Sequence, residues 1–226
     1  MNEINYFSFN WLAKKINNQC LIENLDSING RVVDLGCGTS PYKENILKVA
    51  KEYMGVDWDN SSHDQSNVDI FADLTKLFPI EDEYADTVVS FQVMEHLSEP
   101  NIFLRESHRI LKRGGKILIT VPFQWHIHEE PNDYYRYTKY GLKYLFNKAN
   151  FTNIVIKANT GFWSTFALKF NYHTARYVRG PIFIRYFIHI LLLPIWFIGQ
   201  IIAPILDKFD PNEMETASYT VVAEKP

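Results

Sequence analysis

The chain has 226 residues, 46% of them apolar and 22% charged, with a formal net charge of −3. That length and composition support one sizeable α/β core, and a sequence pI near 6.2 argues against the basic face of a nucleic-acid binder. The two cysteines, Cys20 and Cys37, do not make a disulfide framework, and the first ten residues carry neither a cationic start nor an apolar signal core, so a cytoplasmic protein is expected.

In chain order, Ile4, Phe7, Trp11, Leu12 and Ile16 recur at helical spacing and predict a helix over Ile4–Cys20. Gly30 breaks the chain ahead of a strand at Arg31–Leu35, and Pro41 suits the first turn of a helix reaching about Lys51. Short strands follow at Tyr53–Val56, Val68–Phe71 and Thr87–Phe91. Pro100 opens a helix through Leu111, stopped by Arg113-Gly114-Gly115 before a strand at Lys116–Val121. Thr138 caps a helix over Lys139–Ala149, and Asn153–Ile156 and Tyr219–Ala223 read as the last two strands. Alternating strands and helices predict an α/β, Rossmann-like fold: a seven-stranded, mostly parallel sheet with helices on both faces. The chain reads as one domain over residues 1–226, with an apolar helical insertion at 160–215 before the last strand.

Ligands of such sheets bind outside the carboxyl ends of the strands, and the acids fall there. Asp34 closes the first strand and is followed by a Gly36-Cys37-Gly38 turn. Asp57 closes the second strand, roughly 20 residues on, the spacing at which a carboxylate takes ribose hydroxyls. Asp73 follows the third and suits an adenine amino group. A dinucleotide would require Gly-x-Gly-x-x-Gly with no acid aimed at its pyrophosphate, but Pro41 stands at the third glycine position and Asp34 lies just before the turn. A cationic, phosphate-free cofactor fits better, which favours S-adenosylmethionine.

With these residues in place, the chain resembles the class I S-adenosylmethionine-dependent methyltransferases. Val32–Gly38 is similar to their first motif, with Ser40 in place of a third glycine. Asp57, Ala72-Asp73-Leu74, Ser90–Leu97 and Leu111–Lys116 are similar to the later motifs and occur in order. The resemblance implies cofactor contacts from Asp34, Gly36, Gly38, Asp57, Asp73, Leu74 and Gln92, whereas Glu95 and His96 read rather as residues that hold the backbone.

Methyl transfer is an in-line displacement that needs alignment, and a base when the acceptor is a hydroxyl. The loop after the fifth strand, Pro122 to Thr138, gathers suitable groups: His128 or His126 as base with Asp133 beside them, and Trp125, Tyr134 and Arg136 to hold a substrate. A plainer reading has the tyrosines packing the loop down and Arg136 pairing with Asp133. His126, His128 and Glu129 are ligand types within reach of a metal, but ligands bunched in one loop are common by chance, and no metal is assigned. From His128 to Thr138 the loop resembles a His-x-x-Pro-x-Asp-Tyr-x-Arg-Tyr-Thr pattern of methyltransferases associated with bacterial surface-polysaccharide synthesis, which implies a sugar or glycan hydroxyl as acceptor.

Between the last two strands, Pro181–Leu206 is nearly all apolar. If both flanking strands belong to one sheet, the chain must return to the side it left, which a single membrane span cannot do. Pro194 divides the run, so a helical hairpin is expected, lying on a membrane interface at the inner face or buried against the domain or a partner subunit. Arg176, Arg179, Arg185 and Lys208 flank it and suit anionic headgroups. The competing functions are an NAD-dependent oxidoreductase or nucleotide-sugar enzyme, and a non-catalytic membrane-associated scaffold with the same fold.

Overall fold

The computed structural model describes residues 5–59 and 64–226. Seven strands form one sheet: β1 (Arg31–Leu35), β2 (Glu52–Asp57), β3 (Ile70–Phe71), β4 (Ala85–Phe91), β5 (Leu111–Pro122), β6 (Thr152–Ala158) and β7 (Ser218–Glu224), in the spatial order β3-β2-β1-β4-β5-β7-β6. The pairs from β3 through β5 are parallel, while β7 runs antiparallel to both β5 and β6.

Alternation along the strands sends successive side chains to opposite faces. Val33, Val88, Ile117 and Ile119 face a core built with Phe103 and Leu104 of α3 (Pro100–Ile110) and Leu142 and Phe146 of α4 (Lys139–Lys148). Val32, Val89 and Leu118 face the other way, toward Leu21 of α1 (Trp11–Ile22) and Ile46 of α2 (Lys43–Ile46). The predicted Rossmann-like sheet with helices on both faces is therefore the observed one.

Several boundaries differ from expectation. The first helix begins at Trp11, because Ser8 N–H bonds Asn5 O and Phe7 N–H bonds the Asn5 side chain, which holds this segment in turns; Ile4 lies outside the described residues. The second helix is a single turn, ended as Lys51 and Glu52 direct their N–H groups to Gly30 O and enter β2. The Arg113-Gly114-Gly115 turn is absorbed into β5; a Cβ on Gly115 would lie 2.8 Å from Lys112 O, so only glycine fits there.

The apolar run is not split at Pro194. It forms one helix, α6 (Ile182–Phe209), of 28 residues with Pro194 and Pro204 inside it, packed against α5 (Phe162–Ala175). Each proline removes one backbone donor, and the rest of the helix is held from outside. Trp196 Nε1 donates to Thr174 Oγ1 at 2.8 Å. Gln200, fully buried, accepts from Leu12 N at 3.0 Å and donates to Ser8 O and Trp196 O. Asp207 accepts from Gly161, Trp163 and Ser164 N–H groups, a carboxylate on the first turn of α5. The buried residues of α6 are only Trp196, Gln200 and Ala203, and the opposite face is apolar and exposed.

Gln200→Ala should therefore lower the unfolding free energy by about 2 kcal/mol in chemical denaturation, because it strands the buried Leu12 N–H. An unchanged midpoint would mean that α1 and α6 are not tied together through this side chain.

Candidate active site

The turn after β1 sits at the carboxyl edge of the sheet. Gly36 has φ 80°, and a Cβ there would lie 2.4 Å from Val93, so Val93 of the segment leaving β4 packs where a side chain would be. Gly38 has φ 51° and nothing within 4 Å of a Cβ position: its outer face is open. The N–H groups of the turn do not form an open anion nest. Those of Gly36 and Cys37 donate to Val56 O at 2.8 and 3.0 Å, and that of Gly38 donates to Asp57 Oδ2 at 2.7 Å. A pyrophosphate would find these donors engaged and a carboxylate in their midst, so the site suits a cofactor without phosphate.

Asp57 Oδ1 also accepts from Trp58 N at 2.7 Å, which fixes the carboxylate at the tip of β2. Asp34 lies inside the fold rather than over the turn. It is 2% exposed, accepts from the Tyr53 hydroxyl at 2.6 Å, and burial pushes its carboxyl up to about 7. The sequence places Tyr53 on a strand, and the pairing of β2 with β1 brings its hydroxyl to Asp34. Asp73 Oδ1 accepts from Thr75 N and Oγ1, which draws its carboxyl down, and Oδ2 pairs with the exposed Lys76 at 2.9 Å. Leu74 is buried within the core. Gln92 takes φ 57°, donates its N–H to Thr120 O, and has a buried Nε2 without a protein partner. An open glycine face, a fixed carboxylate and an unpaired buried amide converge at the strand ends, and this donor set fits an adenosyl cofactor with a cationic centre.

Beyond β4, Glu95 is fully buried and neither carboxylate oxygen has a hydrogen-bond partner; burial pushes it up to about 8. His96 Nδ1 lies 2.7 Å from Asn132 O and its Nε2 is 3.7 Å from Glu95 Oε1, so His96 ties this segment to the loop after β5.

That loop is organised by Arg136. Its Nε donates to Trp125 O, one terminal nitrogen to Asp133 Oδ1 and Tyr135 O, and the other to His126 O and Asp133 Oδ2. All five donors are engaged within the chain, so Arg136 holds the loop together. Asp133, its side chain 2% exposed, is held well below the usual carboxylate range by Arg136 and also accepts from His128 N at 2.9 Å. It is thereby a positioning residue rather than a proton acceptor. His128 Nδ1 stands 3.4 Å from Asp133 Oδ2, and burial together with nearby His96 lowers the imidazole, which stays neutral at pH 7. The rings of His126, His128 and His96 follow one another at 6.0 and 4.7 Å. Among the described residues, the ligand-type groups that come within 4.8 Å of one another are Glu95, His96 and His128, not the loop trio of His126, His128 and Glu129.

Trp125, His126 and Ile127 open onto a cleft of about 800 Å³ whose far wall is α5. Trp125 stacks edge-on against Tyr172 at 4.8 Å, and Tyr134 is half exposed beside the loop.

A mostly parallel sheet with an acid-anchored glycine turn at its carboxyl edge is the fold of S-adenosylmethionine-dependent methyltransferases that this chain resembles. Residues 33–119 match the family model described as a methyltransferase domain. A probable S-adenosylmethionine-dependent methyltransferase of Mycolicibacterium smegmatis is 34% identical over 96 residues, 40% of this chain and 37% of the relative. A ubiquinone biosynthesis O-methyltransferase of Ruegeria pomeroyi is 29% identical over 94 residues, 38% of each chain. The chain thus spans under two fifths of the length of these relatives. A solved S-adenosylmethionine-dependent methyltransferase from Archaeoglobus fulgidus superposes with a TM-score of 0.60 at 15% identity, covering 94% of this chain and 94% of that one.

The folded chain keeps a proton on Glu95 that the unfolded chain releases near pH 4.5. The stability this group contributes is complete below that pH and is lost as pH rises through about 8. Glu95→Gln should therefore lose less stability than the parent between pH 5 and 8, by on the order of 1–3 kcal/mol in denaturant titrations. Parallel pH profiles would mean that Glu95 is solvated or paired.

Proposed function

We propose that the chain transfers a methyl group from S-adenosylmethionine to a hydroxyl of a sugar or glycan, including one linked to a lipid. What supports this reading is His128, beside Asp133 and 4.7 Å from the His96 ring, with the His126 ring 6.0 Å away lining an aromatic-walled cleft.

When bound, S-adenosylmethionine supplies an electrophilic methyl on a cationic sulfur. The open face of Gly38 would receive it, and Asp57 would take the ribose hydroxyls with lone pairs left by its two backbone donors. Asp73 would hold the adenine amino group, Leu74 would back it with apolar wall, and Gln92 Nε2 would donate to an acceptor on the ligand. Asp34 acts through Tyr53, fixing the β1–β2 pair that carries the turn. On the acceptor side, Trp125 and Tyr134 offer faces for a sugar ring. His128 draws the proton from the acceptor hydroxyl as the oxygen attacks, Asp133 keeps the imidazole oriented, and His126 stands between His128 and the cleft. The O-methyltransferase relative supports a hydroxyl acceptor, and the loop's resemblance to polysaccharide-associated methyltransferases supports a glycan.

The membrane belongs to the same reading. Helix α6 is roughly 42 Å long, with a mean hydropathy of 2.0 over its best 18 residues and 17% of that window buried. Its exposed apolar face lies on a membrane surface, with Arg179 and Arg185 at one end meeting anionic headgroups, and residues 160–215 form the membrane-facing part of the single domain.

His128→Ala should lower kcat by about 100-fold or more while the Kd for S-adenosylmethionine stays within about twofold. Unchanged turnover on a glycan acceptor would remove His128 from the chemistry. Vesicles containing phosphatidylglycerol should carry the wild-type chain upward in flotation and leave Ile190→Asp/Ile198→Asp at the bottom of the gradient. Both positions are more than half exposed, so the pair should keep its fold; equal flotation of the two proteins would contradict membrane contact through α6.

A further inference from the structure

Two cavities meet on α5. The first is the cleft beside His126, whose wall carries Lys169, His173 and Arg176 together with Trp125 and Tyr172. The second is a groove of about 280 Å³ between α5 and α6, lined by Ile195, Ile202 and Leu206 among other apolar residues. Phe166 and Phe170 border both. With Phe162 they form a ladder of near-parallel rings along one face of α5, at 6.3 and 6.2 Å.

The cations of the cleft are not neutralised from within. Among the described residues, no carboxylate lies within ion-pair distance of Lys169 or Arg176. Lys169 Nζ lies 3.4 Å from Gln124 Oε1, and an Arg176 terminal nitrogen lies 3.3 Å from His173 Nε2. The acid in the wall, Glu215, is taken by the Gln124 amide. A cleft with two available cations that continues into an apolar groove is complementary to one kind of molecule, an anionic head on a long hydrocarbon tail.

We propose that this pair of cavities binds the lipid anchor of the acceptor, a phosphate carrying a long apolar chain. Lys169 and Arg176 hold the phosphate, and the tail follows Phe166 and Phe170 into the groove between α5 and α6. The proposal rests on the glycan-methylation reading and adds the part of the acceptor that the chain grips. The phosphate in the cleft brings the attached glycan alongside His126 and Trp125, next to His128.

The test uses the full chain with phosphatidylcholine nanodiscs that contain a long-chain polyprenyl monophosphate, matched discs that contain phosphatidylglycerol at equal charge, and a water-soluble sugar phosphate. The wild type should bind the polyprenyl discs about tenfold more tightly than the phosphatidylglycerol discs and the sugar phosphate only weakly. Lys169→Ala/Arg176→Ala should abolish that preference with S-adenosylmethionine affinity within about twofold of wild type. Phe170→Glu, at a half-exposed position, should abolish it independently by charging the groove. Equal binding of the two kinds of disc reduces the site to a general anionic surface and overturns the proposal, as does a preference that survives in both variants. If the preference is absent while methyl transfer to a soluble glycan proceeds, the anchor site falls and the glycan reading stands. If the preference is present and no glycan is methylated, the reverse holds.

Discussion

One hydrogen bond organises the cofactor edge of this protein: the Gly38 N–H donated to Asp57 Oδ2 at 2.7 Å. It joins the turn after β1 to the tip of β2 and is charge-assisted, so it is short and strong. By engaging a turn donor with a carboxylate, it converts a loop of the kind that elsewhere cradles phosphate into one that rejects it. The Gly36 and Cys37 donors are engaged in the same way by Val56 O. What remains for a ligand is the open face of Gly38, the spare lone pairs of Asp57 and the unpaired Gln92 amide. Val93 packs into the space that the missing Cβ of Gly36 leaves, so the β1 turn and the β4 exit set each other's position.

The acceptor side depends on a second polar assembly. Arg136 and Asp133 close the loop after β5 on itself, and His96 fastens that loop to the β4 exit through Asn132 O. The segment leaving β4 and the loop after β5 are thereby one unit. His128 draws its orientation from Asp133 and its neutrality from burial and the neighbouring imidazole. The buried Glu95 below them is the costly element, and its protonation is what makes burial tolerable.

Much of this was legible in the chain. The apolar runs ending in Asp34 and Asp57 located β1 and β2, because buried parallel strands read as continuous apolar segments that stop at the ligand edge. Where the sequence misled, a long-range contact outweighed a local signal. Gly30 O captured Lys51 and Glu52 and ended α2 after one turn. Pro194 did not break α6, since Trp196, Gln200 and Asp207 hold that helix from α5, α1 and the N-terminal segment. Nothing local revealed that Tyr53, across the strand pair, would donate to the Asp34 carboxylate. The Arg136–Asp133 pair was one of the two readings open in the sequence, but the backbone carbonyls that take the other donors of Arg136 become neighbours only when the loop folds.

The cofactor edge and the acceptor face are linked by covalent economy: the same loop that presents His128 supplies Trp125 to the cleft on α5. The central claim is that the engaged donors and the fixed Asp57 select a cationic, phosphate-free cofactor. Isothermal titration of the purified chain with S-adenosylmethionine and, separately, with NAD tests it most directly. The account predicts saturable binding of S-adenosylmethionine in the micromolar range and no measurable heat with NAD. Binding of NAD without binding of S-adenosylmethionine would contradict it.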